Sequence, residues 1–201
     1  DSKVSNLKSI CNALNFLQIP FVVTQDLNVI ENSKKLILPG VGHIKEFTNN
    51  IEKLEINKAL KNDLSDDKNF FLGICVGMQY LFEKSDENLE SNGLGFFKGI
   101  VKKFTNTKEH HTIPNIGKNV LSRSLLKWPG TIFDINIEKP EVYFLHSYFC
   151  KVEKKYELTK SEYNEIVFTS SIKKNNIYGV QFHPEKSGQT GLKILKKFYS
   201  L

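Results

Sequence analysis

The spacing of apolar positions divides the first third of the chain into alternating helices and strands. Apolar residues at helical spacing predict one helix over 7–17, ended by Pro20, and a second helix over 44–54. Short apolar runs at 21–24 and 35–38 predict two strands. This alternation indicates a parallel, doubly wound sheet, in which sites lie at the carboxyl ends of the strands.

The second half of the chain is richer in strands and carries one closing helix. Apolar runs predict strands at 100–104, 142–149, 166–169 and 177–182, whereas the polar stretch 105–119 predicts a loop. Leu192, Ile194, Leu195 and Phe198 mark the closing helix. We therefore expect an α/β fold with a doubly wound, mostly parallel sheet and an added antiparallel section, in a single domain over residues 1–201.

The stretch 69–82 changes from strand to helix at a cysteine. Its apolar start predicts a buried strand, and Met78, Leu81 and Phe82 have the spacing of a helical stripe. Between them, Gly73-Ile74-Cys75-Val76-Gly77 has the pattern of a nucleophile elbow with cysteine in place of serine. A helix N-terminus favours the reactive thiolate. The alternative is a buried structural cysteine in a glycine-rich turn.

The pair His183 and Glu185 favours the catalytic interpretation of that cysteine. In an extended chain, residues two apart face the same way, and Pro184 stiffens the link between them. A histidine oriented by a carboxylate and facing a cysteine forms a Cys–His–Glu triad. His183 would move the proton, and Glu185 would fix its tautomer. The alternative is an ion pair at the surface, which the elbow makes the weaker interpretation.

The remaining histidines carry weaker signals. His43 follows the Pro39-Gly40-Val41-Gly42 loop and could shape it, whereas His146 in an apolar strand is expected to be a hydrogen-bonded core residue. His110 and His111 lie in the polar stretch and are expected to be exposed to solvent.

Composition narrows the class of protein. The net charge of +6 comes almost entirely from scattered lysines, with Arg123 the only arginine, which disfavours nucleic-acid binding. No apolar run approaches the roughly 20 residues of a membrane-spanning helix, and the polar start leads us to expect the cytoplasm. Three widely spaced cysteines indicate neither a metal site nor a disulfide framework, and Cys11 belongs to an apolar helix face.

Taken together, the motifs resemble those of the class I glutamine amidotransferases. Within that family the chain is most similar, nearly end to end, to the glutaminase subunits of imidazole glycerol phosphate synthase. The residues that carry the resemblance are Pro39-Gly40-Val41-Gly42, Gly73-Ile74-Cys75-Val76-Gly77-Met78-Gln79, Tyr143-Phe144-Leu145-His146-Ser147-Tyr148 and Gln181-Phe182-His183-Pro184-Glu185-Lys186-Ser187-Gly188.

The resemblance implies hydrolysis of glutamine through a thioester on a triad cysteine, without a metal or other cofactor. The ammonia would pass to a (β/α)8 cyclase subunit of a heterodimer that makes imidazole glycerol phosphate in histidine biosynthesis. The implied roles are the triad of Cys75, His183 and Glu185, an oxyanion hole from Gly40, Val41, Gly42 and Val76, and substrate binding by Gln79, Ser147 and Tyr148.

Two departures concern the parts that would face the partner. The family begins with an apolar strand before an Asp-x-Gly-x-Gly-Asn turn, of which this chain keeps Asp1 and Asn6. The family loop Pro-His-x-Gly-Trp-Asn is matched by Pro114-Asn115-Ile116-Gly117-Lys118-Asn119, with lysine in place of the aromatic. The resemblance thus places Asn6, Ile116, Lys118 and Asn119 at the partner interface.

Two further functions stay open at this point. The same glutaminase could serve a different synthase-like partner, for example in amidination of a surface sugar, an alternative that Lys118 favours. A catalytically silent binding subunit is the other alternative, and the complete set of Cys75, His183 and Glu185 argues against it.

Overall fold

The structure is a computed structural model that describes residues 7–65, 68–87, 93–105 and 112–201, with 63–65 described by their backbone alone. Helices and strands follow in the order α1 (Leu7–Phe16), α2 (Leu27–Glu31), β1 (Lys35–Gly40), α3 (Ile44–Lys53), α4 (Ile56–Ser65), β2 (Phe70–Cys75), α5 (Val76–Gln79), β3 (Phe82–Ser85), β4 (Phe97–Lys103), β5 (Asn115–Val120), β6 (Ser122–Arg123), β7 (Glu141–His146), β8 (Tyr148–Val152), β9 (Glu157–Tyr163), β10 (Ile166–Lys174), β11 (Ile177–Val180) and α6 (Gly188–Ser200). Two 3₁₀ turns lie at Lys154–Tyr156 and Pro184–Lys186.

One large sheet organises the described residues. Its strand order is β1-β2-β11-β10-β8-β4-β3, with β9 paired to β10 and β6 paired to β9. Pairing is parallel from β1 through β2 to β11, then antiparallel from β11 through β10 and β8 to β4, and β3 runs parallel to β4. The expected fold class, a parallel section with an added antiparallel one, is confirmed.

The core lies between the sheet and the helices, as the apolar patterns predicted. Strand β2 is enclosed by β1 and β11, and its Leu72 is fully buried, which explains why it is apolar on both faces. The helical stripe of α3 buries Phe47 and Ile51 completely, and that of α6 buries Ile194 and Leu195.

The carboxyl ends of the parallel strands meet at one edge of the sheet. Gly40 at the end of β1 is in register with Cys75 at the end of β2, and Val180 at the end of β11 is in register with Ile74. The sequence prediction that the glycine loop and the cysteine share one edge is therefore confirmed, and the site is built there.

The predicted strand at 21–24 is wrong, because these residues form irregular backbone. Val22 is 76% exposed and Val23 is 49% exposed, so two strand-forming side chains face solvent. A strand requires a hydrogen-bonded neighbour, and β1, which ends the sheet on this side among the described residues, pairs only with β2.

The predicted helix after Cys75 is shorter than its apolar stripe suggested. Helix α5 is a single turn that ends at Gln79, and Phe82 begins β3 instead of continuing the helix. Met78, Leu81 and Phe82 are all buried, so their apolar spacing predicted burial correctly but helical structure incorrectly.

The predicted loop over 105–119 and the predicted strand over 142–149 both need correction. Residues 115–120 form β5, which pairs antiparallel with β7, while 106–111, including His110 and His111, lie outside the described residues. The predicted single strand breaks at Ser147 into β7 and β8, which join different sheets. The Phe104 amide donates to the Ser147 carbonyl at 2.9 Å at this break.

Among the described residues, no helix combines the length and apolar character that crossing a lipid bilayer requires.

Candidate active site

Cys75 lies at a sharp turn between β2 and α5. Its backbone has φ 54° and ψ −108°, a conformation that L-residues rarely adopt and that holds the side chain at the sheet edge. The flanking glycines are required by close approach: a Cβ on Gly73 would lie 2.6 Å from the Gly77 carbonyl oxygen, and one on Gly77 would overlap the Leu38 carbonyl oxygen. The predicted elbow thus has the strained geometry that its sequence pattern indicated.

The glycine loop passes beside this turn with equally little space. A Cβ on Gly40 would lie 2.7 Å from Cε2 of Phe47 and 2.9 Å from the Gly77 nitrogen. Gly42 has φ 85°, in the left-handed region that favours glycine. Gly40 is therefore brought beside the Cys75 turn as the sequence predicted, and Val41 and Gly42 follow it directly in the chain.

A carboxylate fixes the far end of the glycine loop. Glu87 accepts from the Ile44 amide at 3.1 Å with Oε2, and its Oε1 lies 2.6 Å from Nδ1 of His43. The His43 side chain itself is 81% exposed. His43 therefore helps to tie the loop to the chain after β3, in agreement with the shaping role expected of it.

Two polar groups from different parts of the chain, a side-chain amide and a backbone carbonyl, lie near the cysteine sulfur. Nε2 of Gln181 lies 3.7 Å from the Cys75 sulfur, and the Leu145 carbonyl oxygen lies 3.9 Å from it. Gln79 donates to Oε1 of Gln181 at 3.2 Å and to the Tyr148 carbonyl at 3.4 Å. Two of the predicted substrate residues, Gln79 and Tyr148, are thus joined beside the cysteine.

Gln181 is a site residue that the sequence analysis quoted within a motif but did not assign. It is completely buried and contacts both Cys75 and Gln79. The signal that could have found it is its position two residues before His183, because alternate residues of an extended segment share a face.

His183 and Glu185 are in contact, although not through an extended chain. Residues 184–186 form a 3₁₀ turn, and this turn brings Oε1 of Glu185 to 2.8 Å from Nδ1 of His183. The side chains are only 2% and 8% exposed, so the surface ion pair considered as an alternative is wrong. The predicted contact is confirmed, but its cause is a turn and not strand alternation.

The surroundings of His183 favour its protonated form. Burial lowers the pKa of His183, but hydrogen bonding and charge interactions with Cys75 and Glu185 outweigh burial and raise this pKa to about 10. Nε2 of His183 is buried and makes no hydrogen bond of ordinary geometry with any described residue. That nitrogen is therefore available to exchange a proton with the cysteine sulfur or with a bound substrate.

Ser187 holds the backbone of the histidine in place. Its hydroxyl donates to the His183 carbonyl at 2.6 Å and accepts from the Tyr143 amide at 2.9 Å. The His183 amide donates in turn to the Tyr143 carbonyl at 2.9 Å. The first of these bonds lies within the turn, and the other two attach the His183 backbone and the turn to β7.

His146 is a satisfied core histidine, as the sequence predicted. Its Nδ1 donates to the Tyr148 carbonyl at 2.7 Å, and its Nε2 accepts from Nδ2 of Asn115 at 3.0 Å. Aromatic rings, including those of Phe104 and Phe144, surround it. Burial lowers the pKa of His146 to about 4, against a smaller opposing effect of the Tyr148 carbonyl.

Protonation of His146 is expected to destabilise the fold in mild acid. Between pH 6.5 and about 4 the unfolded chain binds a proton at this residue that the folded chain does not, so the free energy of unfolding decreases as the pH falls. The full shift corresponds to about 3 kcal/mol. Urea unfolding of the wild type and of His146→Asn at several pH values measures it: the variant should show a shallower pH dependence in this window. Equal slopes would contradict the prediction.

Three of the residues assigned to a partner interface lie on β5, which pairs with β7. Ile116 is 57% exposed and Lys118 is also exposed, whereas the Asn119 side chain turns back and donates to the Glu162 carbonyl. Asn6 lies outside the described residues. The structure therefore presents Ile116 and Lys118 to solvent on one face of a strand.

No group of three or more His, Cys, Asp or Glu side chains within the described ranges is arranged to hold a metal ion.

Comparison with known proteins identifies the family of this chain. The profile described as "Glutamine amidotransferase class-I" matches residues 1–200. The chain belongs to this family. A class I glutamine amidotransferase is what the elbow at Cys75 and the buried pair of His183 and Glu185 had indicated.

Relatives of this amidotransferase are matched over nearly their whole length. A protein of Listeria monocytogenes named "Imidazole glycerol phosphate synthase subunit HisH" is 38% identical over 198 residues, which are 98% of this chain and 92% of the relative. A protein of the same name from Oceanobacillus iheyensis is 35% identical over 199 residues, which are 98% of this chain and 95% of the relative.

Solved structures show the same fold at low sequence identity. A glutamine amidotransferase crystal structure superimposes with a TM-score of 0.72 at 15% identity, covering 98% of this chain and 95% of that one. The glutaminase domain of Trypanosoma brucei CTPS with bound acivicin gives a TM-score of 0.61 at 12% identity, covering 96% and 86%.

Proposed function

We propose that this amidotransferase, as one domain over 1–201, hydrolyses glutamine to glutamate and ammonia with Cys75, His183 and Glu185. The observation that carries the proposal is the buried contact between His183 and Glu185 at the sheet edge where the strained turn presents Cys75. The protonated imidazole favoured there stabilises a neighbouring thiolate, which is the nucleophilic form of cysteine.

The chemistry follows from these groups. The Cys75 thiolate attacks the side-chain carboxamide carbon of glutamine, and the imidazolium of His183 donates its Nε2 proton to the departing nitrogen, which leaves as ammonia. A glutamyl thioester remains on Cys75. His183, now neutral, removes a proton from water, which attacks the thioester and releases glutamate and the cysteine. Glu185 orients the ring through Nδ1 and stabilises its positive charge in both steps.

The developing oxyanion needs amide donors, for which we propose Val76 and the Gly40-Val41-Gly42 loop. Val76 follows Cys75 directly, and Gly40 is in register with Cys75 across the β1–β2 pair. Gly42, with φ 85°, gives the loop the freedom to turn a peptide unit. Loss of one such donor costs roughly 10²–10³ in rate, so a peptide turn in this loop would regulate hydrolysis.

For substrate binding we propose Gln79 and the backbone at Ser147 and Tyr148. Gln79 is buried and held by Gln181 and by the Tyr148 carbonyl, so its amide is fixed at the side of the cysteine. The break between β7 and β8 at Ser147 lies two residues after Leu145, whose carbonyl oxygen is 3.9 Å from the cysteine sulfur, so this backbone passes beside the nucleophile.

For the destination of the ammonia we propose a (β/α)8 cyclase subunit that makes imidazole glycerol phosphate in histidine biosynthesis, as a heterodimer. The names of the Listeria and Oceanobacillus relatives support this choice. A second candidate is a different synthase-like partner, such as one that amidinates a surface sugar. It is favoured by Lys118, a solvated lysine where the family loop has an aromatic.

The central experiment combines covalent labelling with a product assay. A glutamine-derived electrophile should modify Cys75 and leave Cys11 and Cys150 unmodified. The rate of glutamate release should fall in proportion to the fraction of Cys75 that is modified. Cys150 is an internal control, because burial and the neighbouring Cys75 raise the pKa of its thiol well above the ordinary value. Peptide mapping that finds Cys11 or Cys150 modified before Cys75 would contradict the proposal. Co-purification of a cyclase-like protein would distinguish the two partners.

Lys118 gives a prediction for the complex. A lysine at the rim steers association electrostatically and adds less affinity than a buried aromatic anchor. Lys118→Glu should therefore raise the dissociation constant of the complex with the partner subunit about tenfold at low salt and much less at 0.5 M salt, measured by titration calorimetry. Lys160→Glu on β9 serves as a matched exposed control. Equal affinity of wild type and Lys118→Glu at low salt would remove this residue from the interface.

A further inference from the structure

Gln181 is a completely buried residue whose carboxamide lies between Cys75 and Gln79. It follows Val180 at the end of β11, the strand that pairs with β2. The Gln181 backbone amide donates to the Ser170 carbonyl at 2.9 Å, which attaches the residue to the sheet. The side chain therefore projects from a fixed backbone into the region beside the cysteine.

The hydrogen bonds of this carboxamide have a defined direction because they begin at a backbone carbonyl. The Tyr148 carbonyl can only accept, so the Gln79 atom that lies 3.4 Å from it is the nitrogen Nε2. The same nitrogen lies 3.2 Å from Gln181, which presents its oxygen Oε1 there. The other polar atom of Gln181, its Nε2, therefore faces the Cys75 sulfur at 3.7 Å as a donor.

His146 fixes the beginning of this series of hydrogen bonds. Its Nδ1 donates to the same Tyr148 carbonyl at 2.7 Å, and its Nε2 accepts from Asn115 at 3.0 Å. The carbonyl thus has two buried donors, Gln79 and His146, and both bonds would break if it turned away. The direction of the bonds from Tyr148 to Cys75 is therefore built into the fold.

A donor aimed at the cysteine sulfur favours the thiolate over the thiol, because the charged sulfur is the stronger acceptor. The Leu145 carbonyl oxygen, 3.9 Å from the sulfur, has the opposite effect, since it accepts from a thiol and repels a thiolate. Cys75 and Gln181 are both buried, so water does not weaken their interaction. Gln181 thus acts on the sulfur in the same sense as the imidazolium of His183.

The same bonds determine what Gln79 can offer to a ligand. Both hydrogens of its Nε2 are directed to protein acceptors, one to Gln181 and one to the Tyr148 carbonyl. The carbonyl oxygen Oε1 of Gln79 is the part of the carboxamide that is left for a ligand, and it can only accept.

We propose that Gln181 transmits the direction of the Tyr148 carbonyl to the site, so that it stabilises the Cys75 thiolate and holds Gln79 as an acceptor for glutamine. Its effect on Cys75 is direct, whereas its effect on the substrate passes through Gln79, for which Gln181 is a positioning residue. The effect on the substrate rests on the proposed glutaminase function, and the effect on the sulfur does not.

The first measurement is the rate at which iodoacetamide alkylates Cys75 between about pH 4 and 9, resolved by peptide mapping. Alkylation requires the thiolate, so the rate falls on the acid side of the profile. In Gln181→Met, which keeps the length of the side chain without a donor or acceptor, this fall should occur about one pH unit higher. Gln181→Asn, which withdraws the amide by one methylene, should shift it in the same direction, so the result does not depend on a single variant folding. The profile of Cys11, a half-buried thiol of α1, should not change.

The second measurement compares glutamine hydrolysis by Gln181→Met, Gln79→Met and the double variant. If Gln181 acts on the substrate through Gln79, each single substitution should raise KM about fivefold and the double substitution no further. The alkylation profile of Cys75 should shift less than half as far in Gln79→Met as in Gln181→Met, because Gln79→Met leaves the Gln181 donor in place. A side chain that only filled space would not produce this pattern.

Two kinds of result would overturn the proposal. A Cys75 profile that is unchanged in both Gln181 variants, or that shifts equally at Cys11, would show that the amide does not act on the sulfur. Effects on KM that multiply in the double variant would show that Gln181 does not act through Gln79. Alkylation needs no turnover, so a wild-type chain that released no glutamate would contradict the proposed function, and the profile would still decide the role of Gln181 at the sulfur.

Discussion

Replacing Cys75 with alanine is expected to lower glutamine hydrolysis by at least about 10⁴-fold while leaving the fold intact. The substitution removes only the sulfur of the proposed nucleophile, since Cβ and the strained backbone are retained. Removal of the nucleophile from a catalytic triad has effects of this magnitude or larger. Glutamate release measured in a coupled assay, with circular dichroism to verify folding, gives the comparison.

Cys11→Ala is the matched control for this variant, because it removes a thiol from a half-buried position of α1 that lies outside the proposed site. It should retain nearly full turnover. If Cys75→Ala kept more than a few per cent of the wild-type rate, a different residue would have to be the nucleophile. If the wild-type protein itself released no glutamate, the alternative of a catalytically silent binding subunit would gain support.

Replacing His183 with alanine should be about as damaging as replacing the cysteine. In the proposed mechanism, His183 both stabilises the thiolate and protonates the leaving nitrogen, so neither step should proceed without it. Members of a catalytic unit are strongly non-additive. The double variant Cys75→Ala/His183→Ala should therefore be no slower than either single variant, measured as single-turnover glutamate release.

Glu185→Gln separates the positioning role of the carboxylate from the proton transfer by His183. The amide keeps the size of the side chain and a hydrogen bond to Nδ1, but it loses the charge that raises the pKa of His183. The loss of rate should be smaller than for His183→Ala. The pKa of His183 should move down, and with it the basic limb of the pH–rate profile, because the imidazolium is the proton donor in the proposed mechanism. A rate loss that multiplies in the double variant with Cys75→Ala would argue against a shared catalytic unit.

The elements of the site were predictable because their signals are local. The glycines around Cys75 are dictated by contacts within a few residues and with one neighbouring strand, and the sequence displays that requirement directly. The meeting of the Gly40 loop with Cys75 follows from parallel topology alone. The contact between His183 and Glu185 was expected for the wrong reason, since a proline at the first position of a 3₁₀ turn and a proline in a strand look alike in sequence.

Elements that depend on distant partners were missed. The segment 21–24 has strand propensity, but propensity does not supply the neighbour that a strand requires. Strand β9 was missed because two of its buried side chains, Thr159 and Ser161, are polar. The Thr159 hydroxyl is hydrogen-bonded to those of Ser170 at 2.9 Å and Ser171 at 2.6 Å. Apolar periodicity does not register a buried layer made of paired hydroxyls.

The backbone conformation of Cys75 lowers the free energy of unfolding at the position where the proposed activity requires a cysteine side chain. A non-glycine residue at φ 54° and ψ −108° costs of order 1–3 kcal/mol, and glycine adopts this region without that cost. Cys75→Gly should therefore give a chain that is inactive and yet unfolds at a higher temperature than the active protein. Selection for thermal tolerance alone would therefore favour glycine over cysteine at this position.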